Sequence, residues 1–141
     1  MCIRDSFIVP AMGSHGGGTA KGQATVLRDY GVLEETVGAP IRATMETVEL
    51  GDTSDGITVY LDAAAASADR VIVIGRVKPH TGFRGPIESG LCKMSVVGLG
   101  NRQGAESIHA HPLATAIPSA ARVATESVSY THLTLPTIYS V

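Results

Sequence analysis

The sequence predicts an α/β fold, in which a layered parallel or mixed sheet of Rossmann-like character is flanked by helices. Residues 71–74 (VIVI) form an unbroken run of apolar, β-branched residues. Strands that are buried on both faces in parallel sheets have the same composition. Apolar runs alternate along the chain with segments of helical spacing, which favours strands layered with helices. Glycine-rich loops follow the apolar runs, and such loops carry reactive side chains in open α/β sheets.

The composition fits one domain with a modest core. The chain has 141 residues, a formal net charge of −2 and 17% charged residues, so nothing favours electrostatic capture of nucleic acid. No apolar segment approaches the roughly 18–20 residues that cross a bilayer, and no apolar signal-peptide region lies near the start. Cys2 and Cys92 form neither a disulfide framework nor a CxxC metal knuckle. We therefore expect a cytoplasmic protein without membrane or nucleic-acid partners.

Both ends of the chain have an unusual sequence. Residues 1–6 (MCIRDS) and 128–141 (VSYTHLTLPTIYSV) resemble translated transposase adapter sequence used in DNA library preparation. Residues of that origin are excluded from fold reasoning. We therefore expect 7–127 to be the biological part, cut from a longer gene at both ends. A native apolar C-terminal strand is the alternative.

The first part of the chain predicts a strand, a glycine loop and a helix. Residues 7–12 are predicted to form a short strand. The glycines of 13–19 permit positive φ or close backbone approach, and Thr19 is placed to cap a helix. Helical spacing then extends over 20–30, until Gly31 provides a stop.

Strands and helices continue to alternate along the rest of the chain. Alternating hydrophobicity predicts strands at 44–50 and 57–61, joined by the turn-rich stretch 51–56. Composition predicts the remaining elements, which are a helix at 63–68, the central strand at 71–74, a second apolar strand at 94–99, a helix beginning at 102–107 and an alanine-rich helix at 119–125.

The glycine loop resembles nucleotide-binding fingerprints only in part. Gly16, Gly18 and Gly22 are spaced G-x-G-x-x-x-G, one residue longer than the dinucleotide pattern, and no Walker A Gly-Lys-Ser/Thr follows. Backbone amides at the start of the following helix are suited to an anion. This leaves open a non-catalytic nucleotide- or anion-binding α/β module that uses 13–19 and Lys78.

Three histidines and a lysine form the constellation that we expect to carry chemistry: His15, His80, Lys93 and His109. Imidazoles exchange protons near neutral pH, and two of them on different loops suit racemisation, in which each face of a carbon needs its own acid/base. Lys93 precedes an apolar run, and a partly desolvated amine is a nucleophile. The alternatives are hydrogen-bonded structural roles for the histidines and a snorkelling surface role for Lys93.

Neighbouring polar residues have weaker assignments. Lys78 and Arg84 are interpreted as holders of a carboxylate or phosphate group. Glu88 is expected to orient a histidine or to pair with Arg84. His109, with another imidazole two residues later, could ligate a metal, although this spacing is not a specific signature. Cys92 is more consistent with a packing residue than with a nucleophile.

Three blocks of the sequence, in order PAMGSHGGGTAKGQ, VKPHTGFRGPIESGLCKM and VVGLGNRQGAESIH, resemble the N-terminal domain of the nickel-dependent lactate racemase family. The resemblance extends from residue 7 to about residue 118. It implies the truncated N-terminal domain of a two-domain enzyme that racemises or epimerises a small 2-hydroxy acid. The implied cofactor is a nickel pincer nucleotide of the pyridinium-3,5-bisthiocarboxylic acid mononucleotide type, supplied by cofactor biosynthesis proteins.

The resemblance also implies roles for individual residues. Lys93 is similar to the lysine that holds the cofactor through a thioamide, and His109 is similar to the histidine that binds nickel. His15 and His80 resemble the two acid/base histidines, which serve a hydride transfer from the substrate Cα to the pyridinium carbon of the cofactor and back. Further cofactor-binding positions are expected at Gly16, Gly17, Gly18 and Lys78.

Departures from the family pattern bear on the substrate. GSHG stands where characterised lactate racemases have a GTHR-type block, so Gly16 removes an arginine side chain beside His15. The spacing between His80 and Lys93 is also longer than in those enzymes. We therefore expect lactate, or a bulkier or differently charged 2-hydroxy acid. An upstream Asp/Arg segment and a C-terminal domain are expected outside this sequence, so the fragment alone is expected to be inactive. A domain retained only as a scaffold is the remaining alternative.

Overall fold

A computed structural model describes residues 5–76, 79–85, 87–88, 90–128 and 130–135, and its α/β architecture confirms the predicted fold class. The strands are β1 Thr47–Asp52, β2 Thr58–Asp62, β3 Val71–Arg76 and β4 Tyr130–Leu135. The α-helices are α1 Ala20–Asp29, α2 Glu34–Val37, α3 Ala63–Ala66, α4 Leu91–Lys93, α5 Asn101–His109 and α6 Leu113–Ser127. A 3-10 turn at Gly16–Gly18 precedes α1, and a π-helix at Met94–Gly98 continues α4.

The strands form two two-stranded sheets within the described part of the chain. β1 and β2 are antiparallel, and the register shifts between Glu49 and Gly51. β3 and β4 are parallel, with Val71 opposite Tyr130. β4 lies in the stretch 128–141 whose sequence resembles adapter, and no residue of the site described below lies on it. The predicted mixture of strand directions is therefore present, divided between two small sheets.

The glycine loop and the following helix form as predicted. α1 begins after Thr19, whose side-chain oxygen accepts a hydrogen bond from the Gly22 N–H at 3.1 Å. The helix is followed by Gly31 at φ 75°. The strand predicted at 7–12 is wrong, because this segment makes only an isolated bridge between Ile8 and Ile41 among the described residues.

β3 is less buried than its composition predicted. Val73 is only 4% exposed, whereas Ile72 and Ile74 are 45% and 58% exposed. Side chains alternate between the two faces of a strand. One face of β3 therefore meets the core and the other is open, so the prediction of a strand buried on both faces is wrong.

The apolar run at 94–99 is helical, not a strand as predicted. Met94–Gly98 is a π-helix in which the Leu99 N–H donates to the Met94 carbonyl at 2.8 Å, and residues 95–98 are buried. A short run that is apolar on every side has no periodicity that distinguishes a buried helix from a buried strand. Lys93 therefore stands at the end of a helical turn that leads directly into the core.

The core lies around the π-helix and α6. Its main cluster includes Val59 of β2, Val96, Ile108 of α5 and Ile117 of α6, all at most 1% exposed. A second cluster joins Leu61 and Val73 to Leu99. No helix among the described residues has the length and apolar character needed to cross a membrane. The elements that carry Lys93 and His109 thus pack on a shared apolar centre.

A buried carboxylate links this core to the start of α5. Both oxygens of Asp62 are used: Oδ1 accepts from the N–H groups of Ala64 and Ala65, and Oδ2 accepts from Asn101 Nδ2 at 2.7 Å. The Asp62 N–H donates to the Leu99 carbonyl at 2.6 Å. Asn101 has φ 52°, a conformation that asparagine tolerates better than most residues. Asp62 and Asn101 are both fully buried.

We expect Asp62→Ala to lower the free energy of unfolding by about 3 kcal/mol, because it leaves three buried donors without their acceptor. Urea denaturation of the 141-residue chain measures this change. Asp69→Ala is the matched control, since Asp69 is exposed and its substitution should change the free energy by less than about 0.5 kcal/mol. Equal effects of the two substitutions would contradict the assigned role of Asp62.

Candidate active site

His80 and Lys93 meet in the folded chain although they lie thirteen positions apart in the sequence. Lys93 Nζ lies 2.9 Å from His80 Nε2. Lys93 ends α4, and His80 belongs to the loop that follows β3, with both side chains partly buried. One imidazole and the amine of the expected constellation are therefore in contact.

Backbone groups select the tautomer of His80. The Gly82 N–H donates to His80 Nδ1 at 3.0 Å, so Nδ1 carries a lone pair. In the neutral ring the proton then lies on Nε2, the atom that faces Lys93. The ring also packs on Phe83, with a centroid separation of 4.4 Å. His80 thus directs an N–H toward the amine.

Glu88 holds the His80 loop through backbone and side-chain contacts. Its Oε2 accepts from the His80 N–H at 3.0 Å and from Arg84 Nη1 at 3.3 Å, while Oε1 accepts from the Gly85 N–H at 3.2 Å. Arg84 Nη1 also donates to the His80 carbonyl at 2.7 Å. Both expected roles of Glu88 are therefore present: it pairs with Arg84, and it orients His80 through the backbone.

The pKa of Glu88 is lowered by the same contacts. The hydrogen bond from the His80 N–H is the largest cause and holds this pKa below its ordinary value of 4.5. Partial burial opposes the effect, while the Gly85 N–H and the Arg84 guanidinium add to it. The carboxylate form of Glu88 is consequently the form that fits the loop.

The glycine loop forms a tight backbone cradle at the start of α1. Gly16, Gly17 and Gly18 have φ of 65°, 71° and 63°, which L side chains rarely adopt. A Cβ at Gly22 would overlap the Gly16 carbonyl, so glycine at 22 permits the loop to rest on α1. Buried Gln23 supports the loop, since its Nε2 donates to the Gly13 carbonyl at 2.8 Å.

His15 lies at the exposed side of this cradle. Its carbonyl accepts from the Gly18 N–H at 3.2 Å, and its side chain is exposed. The Gly13 N–H donates to the Gly98 carbonyl at 3.0 Å, which fastens the loop to the far end of the π-helix that begins next to Lys93. The loop of His15 is therefore bonded to the last residue of the π-helix, and Lys93 directly precedes its first residue.

His109 has the opposite tautomer to His80. Its Nδ1 lies 2.6 Å from the Ala105 carbonyl, and because a carbonyl can only accept, Nδ1 is the donor. The neutral ring then has its lone pair on Nε2, and the residue is exposed at the end of α5. Histidines that bind metals commonly donate their second nitrogen to a carbonyl in this way.

The other expected site residues have mixed outcomes. Lys78 lies outside the described residues, so its assignment stays a prediction. Cys92 packs against the main core cluster and lines a cleft of about 340 Å³ beside Pro118 and Arg122 of α6, in agreement with a packing role. In the described ranges, no three His, Cys, Asp or Glu side chains come together as a metal-binding group.

Four supporting groups were missed in the sequence. Gln23, Asp62 and Asn101 act through buried side chains, and the Gly82 amide acts through the backbone. Of these four, only Asn101 could have been noticed in the sequence, because an asparagine after Gly-Leu-Gly is compatible with positive φ. The partners of the others are distant in sequence or belong to the backbone, so no local pattern marks them.

We expect the amide chemical shifts of His80 and Gly85 to move together as Glu88 takes up a proton, with a common midpoint below pH 4.5. A lowered pKa in the folded chain means that the carboxylate stabilises the fold above the unfolded pKa. That contribution is lost as pH falls through the lower, folded pKa. NMR titration of the Glu88 carboxyl carbon and of the two amides measures the change.

Glu106→Gln is the control for this titration, since Glu106 forms an exposed pair with Arg102 and should leave the His80 and Gly85 shifts unchanged. Glu88→Gln should abolish their common transition. A Glu88 carboxyl that titrates at or above its ordinary pKa of 4.5 would contradict the described contacts.

Comparison with known proteins agrees with the motifs of this site. The family model described as lactate racemase N-terminal domain matches residues 3–117, which contain His15, His80, Lys93 and His109. No curated protein and no solved structure matches the chain. The match covers far more than half of the 141 residues. The chain therefore belongs to the lactate racemase N-terminal domain family.

Proposed function

We propose that this chain is the catalytic N-terminal domain of a cytoplasmic 2-hydroxy acid racemase or epimerase that uses a nickel pincer nucleotide. The observation that carries the proposal is the 2.9 Å contact between Lys93 Nζ and His80 Nε2, within a chain of the lactate racemase family. An amine for cofactor attachment and an imidazole for proton transfer are thus held side by side. The partners proposed are the 2-hydroxy acid and the proteins that make the cofactor.

The described residues fit such a cofactor. His109 directs Nδ1–H to the Ala105 carbonyl, which leaves Nε2 of the neutral ring able to bind nickel. Lys93 supplies a partly buried amine for the covalent link. The cradle Gly16–Gly18 presents positive-φ backbone at the start of a ten-residue helix, a setting suited to the nucleotide phosphate. When bound, the cofactor would supply the hydride acceptor and donor that the protein side chains lack.

The chain's own residues would orient the substrate and move protons. His80 would exchange the proton of the substrate hydroxyl at Nε2, a step that requires the Gly82 N–H to leave Nδ1 so that the ring can change tautomer, while Glu88 keeps the loop in position. His15 would serve the opposite face of the same carbon, since its exposed ring stands on a separate loop. Two acid/base groups on separate loops are what the interconversion of two mirror-image hydroxy acids requires.

The substrate class follows from the small and polar character of these groups. A carboxylate beside the reacting carbon would suit the exposed guanidinium of Arg84, whose side chain is 76% exposed although it binds Glu88. A Cβ at Gly16 would meet the backbone of Gly22 and Gln23 at 2.7 Å, so glycine at this position follows from packing on α1 and does not bear on the size of the substrate. We therefore propose lactate or another 2-hydroxy acid as substrate.

We expect the gene product that contains this domain, produced together with the cofactor-making proteins, to carry nickel and a nucleotide-sized mass on Lys93. The thioamide link requires the Lys93 amine, so Lys93→Arg should abolish the adduct. Intact mass measurement followed by peptide mapping checks both results. The loaded protein should interconvert the enantiomers of a 2-hydroxy acid, and His15→Ala should slow this by about 10²-fold or more.

Lys21→Arg is the matched control, because Lys21 is exposed on α1 and its substitution should leave both adduct and rate unchanged. Stoichiometric protein with unmodified Lys93 and no nickel, under conditions that load a known member of the family, would overturn the proposal. Ligand binding that survives His15→Ala, without any interconversion, would instead support the non-catalytic anion-binding module.

A further inference from the structure

We propose that the His80–Lys93 pair is, before any cofactor is attached, an imine-forming site for small carbonyl compounds. The proposal requires only contacts that the structure describes. It goes beyond the proposed racemase chemistry, which assigns Lys93 a thioamide and His80 a substrate proton.

The described hydrogen bonds around His80 bear on the charge of Lys93. Because the Gly82 N–H points at Nδ1, the ring cannot carry a proton there, which excludes the imidazolium and the Nδ1–H tautomer. The proton lies on Nε2 and meets Lys93 Nζ at 2.9 Å. An ammonium has no lone pair and cannot accept it. The contact is therefore satisfied by a neutral Lys93 amine, which accepts a hydrogen bond from His80.

A neutral amine beside an N–H donor has the two groups that imine formation needs. Exposed lysines are almost entirely protonated near pH 7 and react slowly for that reason. Lys93 is partly buried at the end of α4, where the following residues 95–98 enter the core.

The reaction balances without an added oxidant or metal. The Nζ lone pair forms a bond to the carbonyl carbon, the C=O π pair moves to oxygen, and the oxygen takes up a proton. His80 Nε2–H, released from the Nζ lone pair, donates a hydrogen bond to the resulting hydroxyl group, which takes a proton from solvent and leaves as water. Loss of the remaining Nζ protons to solvent gives the neutral imine. The carbonyl compound is thus linked to Lys93 through a C=N bond, and one water is released.

The class of ligand is an unhindered aldehyde or 2-oxo acid. Arg84, whose Nη1 reaches the His80 carbonyl at 2.7 Å, provides a cation near the pair and favours compounds with a carboxylate. A 2-oxo acid is also the oxidised counterpart of a 2-hydroxy acid, so the same side chains would bind both. This last step alone rests on the proposed function.

The test is reductive trapping on the cofactor-free 141-residue chain. The chain is incubated with glyoxylate and cyanoborohydride at pH 7, and the carboxymethyl group retained at each lysine is quantified by peptide mapping. Only three lysines are present, Lys21, Lys78 and Lys93, so the exposed Lys21 is an internal reference. We expect Lys93 to be labelled at least about ten-fold faster than Lys21.

Variants near the pair test whether the labelling of Lys93 depends on its contact with His80 or only on its accessibility. His80→Ala should reduce labelling of Lys93 to the rate of Lys21. Gly82→Pro removes the N–H that selects the His80 tautomer and should also reduce the labelling of Lys93. Thr81→Ala keeps that N–H and changes an exposed side chain, so it should label like the unchanged chain. Circular dichroism verifies that each variant is folded.

Equal labelling of Lys21 and Lys93, or labelling of Lys93 that is unaffected by His80→Ala in a folded chain, would overturn the inference. Absence of any adduct on Lys93 would do the same. None of these results bears on nickel or on the thioamide, which the mass of the co-expressed gene product tests separately. Failure of the two proposals is therefore distinguishable.

Discussion

The buried carboxylate of Asp62 is the interaction on which the arrangement of the site depends. It ends β2, caps α3 and binds Asn101, while its own N–H reaches the Leu99 carbonyl. The π-helix with Lys93 before it, and α5 with His109 at its end, meet at this point. A carboxylate that satisfies three donors in the core is costly to replace, because each donor would otherwise be buried without a partner. Asp62 thus fixes the relative position of two residues that it does not touch.

Two histidines of the site obtain different chemistry from backbone groups. His80 has its proton on Nε2 because the Gly82 N–H occupies Nδ1, whereas His109 has its proton on Nδ1 because a carbonyl of its own helix accepts it. The His80 ring is consequently a hydrogen-bond donor toward Lys93, and the His109 ring has a lone pair that could bind a metal. Two histidine side chains are therefore suited to different tasks because different backbone groups contact them.

The sequence was informative wherever local chemistry determines structure. Thr19 and Gly31 predicted the ends of α1, and the helix expected to begin at 102–107 is present as α5, Asn101–His109. Local patterns failed where burial decides: the apolar run at 94–99 is a π-helix, and β3 exposes Ile72 and Ile74 because only one of its faces meets the core. The motif residues indicated which side chains to expect at a site, and of these His80 and Lys93 are in contact. The tautomers could not be predicted, since they depend on a Gly82 amide and an Ala105 carbonyl whose positions exist only after folding.

The central claim is that His80 and Lys93 form a neutral, hydrogen-bonded pair. The most direct measurement is the ¹⁵N NMR spectrum of the His80 ring and of Lys93 Nζ in the cofactor-free chain near pH 7. The account predicts a protonated Nε2, an unprotonated Nδ1 and the chemical shift of a neutral amine on Lys93. A doubly protonated ring, or a proton on Nδ1 with an ammonium on Lys93, would contradict it.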